Sequence, residues 1–149
     1  MVSITSPAFI EGQMIPSIYT CEGENINPPL EFNGVNQKAT GLVLIMDDPD
    51  SPGGTWDHWV VWNIPATTMK IKERELPSGA VEGANSFGKI GYGGPCPGSG
   101  KHRYVFKLYV VNTKLSLPQG SKKIQVEQAI QGHILDQCQL TGLYQKKNL

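Results

Sequence analysis

The sequence predicts a mainly β protein, an antiparallel β-sandwich of short strands with one helix near the C-terminus, and three observations carry that expectation. The 149 residues include 17 Gly and 11 Pro spread along the chain, so elements must be short and joined by turns. Only 17% of the residues are charged, which disfavours helical bundles and coiled coils. Apolar residues alternate at period two in several stretches and repeat at helical spacing in one.

Taken in order, Ile15 to Thr20 and Leu30 to Asn33 are the first, weaker strand candidates. Leu42, Val43, Leu44, Ile45 and Met46 follow Gly41 and precede Asp47, Asp48 and Pro49, the pattern of a central strand buried on both faces. Trp59 to Ile64 reads as a strand closed by Pro65, and Ala80 to Ala84 as a weak one. From Arg103 to Val111, Tyr104, Phe106, Leu108 and Val110 alternate with Val105, Lys107, Tyr109 and Val111. Between Lys123 and Gln139 there is no Pro, and Val126, Ile130, Ile134 and Cys138 recur every four residues with Leu135 beside them. That stripe predicts a helix ended by Thr141 and Gly142, despite Gly132, which costs about 1 kcal/mol relative to Ala.

No repeat, linker or long charge run divides the chain, so residues 1–149 are expected to form one domain, burying roughly two thirds of the surface the unfolded chain exposes. Equal numbers of basic and acidic residues, 13 each, remove the diffuse positive field used by nucleic-acid and membrane-surface binders. Any bound anion must therefore be held locally. The apolar run Leu42 to Met46 is too short to cross a bilayer, so no transmembrane segment is expected. The first residues carry no Lys or Arg before Pro7, and Cys21, Cys96 and Cys138 are an odd, widely spaced set. Both features point to a cytoplasmic chain with three free thiols and no zinc knuckle.

Two loops concentrate residues able to do chemistry. Asp47 to Trp59 leaves one strand with carboxylates and enters the next with His58 between Trp56 and Trp59. Gly91 to Tyr104 is dense in Gly and Pro and ends on His102, Arg103 and Tyr104. Both histidines sit where a loop meets a sheet, fixed by the scaffold yet able to face a cavity. A carboxylate beside imidazoles favours their charged form, so Asp48 is expected to keep His58 or His102 able to donate to an oxyanion. Exposed N–H groups of the Gly-rich loop and the Tyr104 hydroxyl add donors. His133 reads as a hydrogen-bonded histidine bordering the core, and Asp47 and Asp50 as turn caps. Alternation directs Arg103 to the face opposite His102 and Tyr104, toward a structural pairing. The same alternation separates Trp59 from Trp62, and an exposed Trp56 or Trp59 would suit an interface.

In order and spacing, Asp48-Pro49-Asp50-Ser51-Pro52, Trp56-x-His58-Trp59 and Gly94-Pro95-x-Pro97-Gly98-x-Gly100-x-His102-Arg103-Tyr104 resemble the signatures of the phosphatidylethanolamine-binding protein family. Ser6-Pro7-Ala8-Phe9, Tyr19-Thr20-Cys21-Glu22-Gly23, Asn27-Pro28-Pro29-Leu30, Gly132-His133-Ile134-Leu135 and Leu140-Thr141-Gly142-x-Tyr144 resemble its prokaryotic, Raf-kinase-inhibitor-like branch. The resemblance spans essentially the whole chain. It implies a β-sandwich with a small anion pocket walled by Asp48, His58, His102 and Tyr104, with Pro49, Gly94 and Pro95 shaping the rim. It further implies a cofactor-free, metal-free binding protein for a small phosphorylated or oxyanionic ligand, regulating or inhibiting a kinase or protease partner through an adjacent surface.

Two other readings compete. A hydrolase or metalloenzyme would use the same residues, through a two-histidine, one-carboxylate metal site, Cys96 with His102, or Ser51 or Ser99 with a His-Asp pair. No H-x-H pair presents two ligands from one strand, Cys96 lies between two prolines, and neither serine sits in a G-x-S-x-G elbow. The expectation is therefore that the protein is not an enzyme. The other reading is a homodimeric scaffold with a vestigial pocket.

Overall fold

A computed structural model describes residues 1–147. The strands are β1 (Ser3–Thr5), β2 (Leu30–Asn33), β3 (Gly41–Asp48), β4 (Trp56–Pro65), β5 (Lys70–Ile71), β6 (Val81–Glu82), β7 (His102–Val111) and β8 (Ile134–Tyr144). One helix, α1 (Lys123–Ile130), and a 3-10 turn at Ser17–Tyr19 complete the elements. All strand pairings are antiparallel, in a three-stranded sheet ordered β1-β2-β5 and a five-stranded sheet ordered β6-β4-β3-β7-β8. The mainly β sandwich with a single helix is thus as the sequence predicts.

The main core lies between the sheets, where Leu30 and Phe32 meet Leu44, Met46, Trp59, Phe106 and Leu108. A second core lies on the far face of the larger sheet, where Val43, Ile45, Val60 and Trp62 pack under Val126 and Ile130 of α1. β3 is buried along its whole length because both cores claim it, which explains its unbroken apolar run. Trp59 and Trp62 fall into different cores, as alternation requires. The alternation then breaks at Asn63, whose φ is 54°, and a register shift opposite Leu42 and Leu44 turns Ile64 back into the main core with Val61. The Asn63 amide holds this bend by donating to the Leu115 carbonyl (2.9 Å) and accepting its N–H (3.0 Å).

The C-terminal region departs from expectation. The helix stops at Ile130, not Gln139, and Ile134–Tyr144 is an edge strand pairing with β7 from His102↔Tyr144 to Val111↔Ile134. Gly132 takes φ 82°, a left-handed conformation that ends a helix readily when no Cβ is present. Beyond it the open edge of β7 offers a full ladder of backbone partners, which outweighs a helical pattern whose later members pack poorly: Ile134 is 42% exposed. The weak strand expected at Ile15 to Thr20 is instead the 3-10 turn, preceded by Pro16, with the Ile15 N–H on the Leu143 carbonyl at 2.7 Å.

The cysteines also depart from expectation. Cys21 and Cys96 are joined in a disulfide with Cα atoms 5.4 Å apart, leaving Cys138 as the free cysteine. The fold lays the turn after Tyr19 against the loop before β7, with the Cys21 N–H donating to the Pro95 carbonyl at 3.1 Å. The 75-residue separation hid this proximity. An odd count forbids complete pairing but not one bond, and the disulfide removes the cysteine argument for a cytoplasmic setting. Among the described residues, no helix is long and apolar enough to cross a membrane.

Candidate functional site

The ends of β3, β4 and β7 meet at one pole of the sandwich. β3 ends at Asp48 because Pro49 has no N–H to continue the ladder, and Asp48 Oδ1 accepts the Asp50 N–H (2.8 Å) to start the turn. β4 returns with Trp56 and His58, and β7 begins with His102 and Tyr104. Asp48, His58, His102 and Tyr104 line one cavity of about 210 Å³. Ser51 and Pro52 from the β3–β4 turn, Trp56, Phe87, and Cys96, Pro97 and Gly98 from the loop before β7 complete the wall. His58 and His102, 44 positions apart in sequence, thus converge.

The two imidazoles are held differently. His58 Nδ1 lies 2.6 Å from the Gly93 carbonyl, so this nitrogen carries the proton and Nε2 is left without a protein partner among the described residues. Burial lowers the pKa of His58, against the Gly93 carbonyl and the Asp48 charge, which favour its cation. Burial therefore favours the neutral ring, and of the two histidines expected to be served by Asp48, His102 is the one its carboxylate contacts. His102 lies between acceptors on both sides: Nδ1 is 2.7 Å from Asp48 Oδ2 and Nε2 is 3.1 Å from the Ser99 carbonyl. Both contacts are hydrogen bonds at once only when the ring is doubly protonated, and in that form Asp48 and His102 are an ion pair.

Between them, the Tyr104 ring meets His58 edge-on at 5.2 Å and stacks on His102 at 6.4 Å. Its hydroxyl is buried with no well-formed hydrogen bond among the described residues, the Asp48 carboxylate and Cys96 N–H being its polar neighbours. Burial, and then the Asp48 charge, raise the Tyr104 pKa, so the group stays a protonated donor. At the mouth, Phe87 packs edge-on against both His58 (5.4 Å) and Trp56 (5.5 Å).

Gly94 and Pro95 stand behind the wall rather than on it. A Cβ on Gly94 would lie 2.2 Å from the Tyr19 carbonyl oxygen, so only glycine permits this approach; its N–H donates to Asn25 Oδ1 at 2.8 Å. Pro49 is likewise outside the cavity-lining set. Arg103 turns outward and forms a two-pronged pair with Asp50, Nη2 to Oδ1 at 2.8 Å and Nε to Oδ2 at 3.0 Å. That pair, led by the Arg103 side-chain hydrogen bond, lowers the Asp50 pKa to about 2. Phe87 drew no attention in the sequence, since it lies in no motif; Cys96, Pro97 and Gly98 lie inside the quoted Gly-Pro run. His133 Nδ1 donates to Asn112 Oδ1 (3.0 Å) away from the cavity, and Tyr144 is buried with its hydroxyl on Glu22. Among the described residues, no group of three or more His, Cys, Asp or Glu is placed to hold a metal.

A family model described as phosphatidylethanolamine-binding protein matches residues 5–145. A UPF0098 protein of Methanothermobacter thermautotrophicus is 46% identical over 150 residues, covering 97% of this chain and 99% of its own. Another, from Pyrococcus abyssi, is 45% identical and covers 99% and 86%. The crystal structure of a phosphatidylethanolamine-binding protein homolog, CT736 from Chlamydia trachomatis, superposes with a TM-score of 0.94 at 41% identity, covering 98% of each chain. That of Escherichia coli YbcL, a member of the same family, gives 0.91 at 31% identity, covering 98% and 99%.

Proposed function

Since this chain belongs to the phosphatidylethanolamine-binding protein family, we propose that its polar cavity binds a small phosphorylated or oxyanionic ligand. The observation that carries this reading is the Tyr104 hydroxyl, a buried donor facing the cavity without a good partner in the protein. Leaving such a group unsatisfied costs about 1–3 kcal/mol, which a ligand oxygen would relieve. The N–H groups of Gly98, Ser99 and Gly100, exposed and unbonded among the described residues, lie on the loop that supplies the adjacent wall. An anion entering beside His58 favours protonation of its free Nε2 and so recruits a further donor. Trp56 and Phe87 at the mouth suit an apolar or planar remainder of the ligand or a partner docked over the cavity, the surface through which a kinase or protease would be regulated.

The protein acts by binding rather than by turnover in this reading. Ser51 is the alkyl hydroxyl on the wall, yet both nitrogens of His102 are committed to Asp48 and the Ser99 carbonyl, and among the described residues no hydrogen bond joins Ser51 to His58, whose Nδ1 is on the Gly93 carbonyl. A thermal-shift panel of sulfate, phosphate and phosphoethanolamine, with release of inorganic phosphate followed in parallel, tests both points. Stabilisation by several of these without phosphate release is expected; release from phosphoethanolamine would establish the hydrolase instead, and no stabilisation by any would remove the anion reading.

A further inference from the structure

The loop that walls the cavity is tied down unevenly. Up to Pro95 it is held by several hydrogen bonds: Gly93 N–H to the His58 carbonyl at 2.9 Å, Gly94 N–H to Asn25, and the Pro95 carbonyl to the Cys21 N–H. The Tyr92 hydroxyl adds a bond to the Tyr19 carbonyl at 2.7 Å. Beyond Pro95 the chain runs through Cys96, Pro97, Gly98, Ser99, Gly100 and Lys101 before β7 resumes. In that stretch two attachments stand out among the described residues: the Cys96 disulfide to Cys21, and the Ser99 carbonyl on His102 Nε2. Cys96, Pro97 and Gly98 are the members that line the cavity, and the Cys96 N–H is the one beside the Tyr104 hydroxyl. The sulfur bridge therefore fixes the part of the wall that the other bonds do not reach.

We propose that the Cys21–Cys96 disulfide is a redox-sensitive latch on this cavity: reduction frees residues 96–101 and weakens the hold on an oxyanion. The proposal rests on reading the cavity as an anion site. Its access is suitable, because Cys21 is exposed while Cys96 is half-buried at the cavity wall. A dithiol reductant supplies the two electrons. One of its thiolates attacks Cys21 Sγ, the S–S bond breaks, and the electron pair leaves on Cys96 Sγ. The second reductant thiol, as thiolate, then displaces Cys21 Sγ and closes the reductant's own disulfide. The two protons of the reductant end on Cys21 and Cys96, so atoms and electrons balance. Two glycines and no bonded N–H between 98 and 100 then leave the freed segment many conformations, and a ligand must order it again on binding.

The test uses the full chain carrying Cys138→Ser, so that the bridge is the sole thiol couple. Backbone 15N relaxation of residues 98–101 and calorimetric titration of sulfate are compared in the oxidised protein, the dithiothreitol-reduced protein and a Cys96→Ser variant. We expect order parameters in 98–101 to fall from about 0.85 to below about 0.6 on reduction. The sulfate Kd should rise by about tenfold or more, with amide signals of β3, β4 and β7 unchanged. Unchanged order parameters with a Kd within about twofold would overturn the latch. Loss of the β3, β4 and β7 signals on reduction would overturn it too, because the bridge would then be holding the fold and not the wall. If the oxidised protein binds neither sulfate nor phosphate, the anion reading of the cavity fails, and the relaxation result alone decides whether the bridge latches the loop.

Discussion

Asp47 and Asp48 are adjacent on β3, both almost fully buried, and meet opposite fates because a strand turns successive side chains to opposite faces. On the helix-covered face, Asp47 Oδ2 accepts from Lys107 Nζ (3.0 Å) and Lys123 Nζ (3.3 Å), and Lys123 reaches on to Asp57 Oδ1 (2.8 Å). Burial disfavours the Lys123 cation, but Asp57 and Asp47 outweigh it and raise the pKa of Lys123. Every charge of that cluster has an ion-pair partner inside the protein, although Asp57 Oδ1 makes no well-formed hydrogen bond. On the other face, Asp48 pairs with His102 while Tyr104 Oη and His58 Nε2 remain without good partners beside it. A closed polar cluster holds the fold together, and an open one at a cavity is available to a ligand.

Cutting the covalent tie beside the open face should have the largest effect on stability. The Cys21→Ser, Cys96→Ser double variant should lose about 4.5 kcal/mol, the loop-closure value for a bridge spanning 75 residues, measured by urea unfolding. The two aspartates should then separate cleanly. Asp47→Asn should cost about 1–3 kcal/mol, below the usual figure for a broken buried pair because Lys107 and Lys123 reach solvent, and should leave sulfate affinity unchanged. Asp48→Asn should alter sulfate affinity as well as stability, since it leaves the buried His102 without its carboxylate partner beside the cavity.

Much of this contrast could be read in the sequence, and the rest could not for definite reasons. An unbroken apolar run locates β3, the Trp59 to Ile64 run closed by Pro65 locates β4 and period-two alternation locates β7, and the two loop motifs single out Asp48, His58, His102 and Tyr104, which the fold brings to one cavity. Asp47 reads locally as a turn cap because its partners lie 60 and 76 positions away. Ile134 and Cys138 continue the spacing of Val126 and Ile130 by coincidence, and only the vacant edge of β7 decides that they form a strand. Gly94 and Pro95 sit in the loop that walls the cavity but outside its lining, a distinction that no motif carries.

A smaller effect follows from His58. Its pKa is lowered in the folded state, so below about pH 6.5 the unfolded chain takes up a proton that the folded protein refuses. Stability of the ligand-free protein should therefore be retained above that pH and fall as pH drops toward the lowered value, by at most about 1.4 kcal/mol per unit for one proton. Thermal unfolding across this range should show the slope in the parent and a shallower one in His58→Gln; equal slopes would mean that His58 is not the group responsible. Asp47→Asn removes a lesser charge that favours the His58 cation, so it should keep the slope and extend it toward lower pH.

The smallest change in stability belongs to the variant that bears most directly on the open face. Tyr104→Phe removes a hydroxyl with no well-formed bond, so unfolding free energy should be unchanged or higher by up to about 1 kcal/mol. Calorimetric titration of sulfate into parent and Tyr104→Phe proteins, from about pH 5.5 to 8.5 at constant ionic strength, tests the account at its centre. The expected result is parent binding that strengthens toward acid pH as His58 takes up a proton with the anion, and a variant weakened by about 1 kcal/mol or more at every pH. Equal affinity in the two proteins, flat across pH, would mean that neither Tyr104 nor His58 meets the anion and would contradict the account.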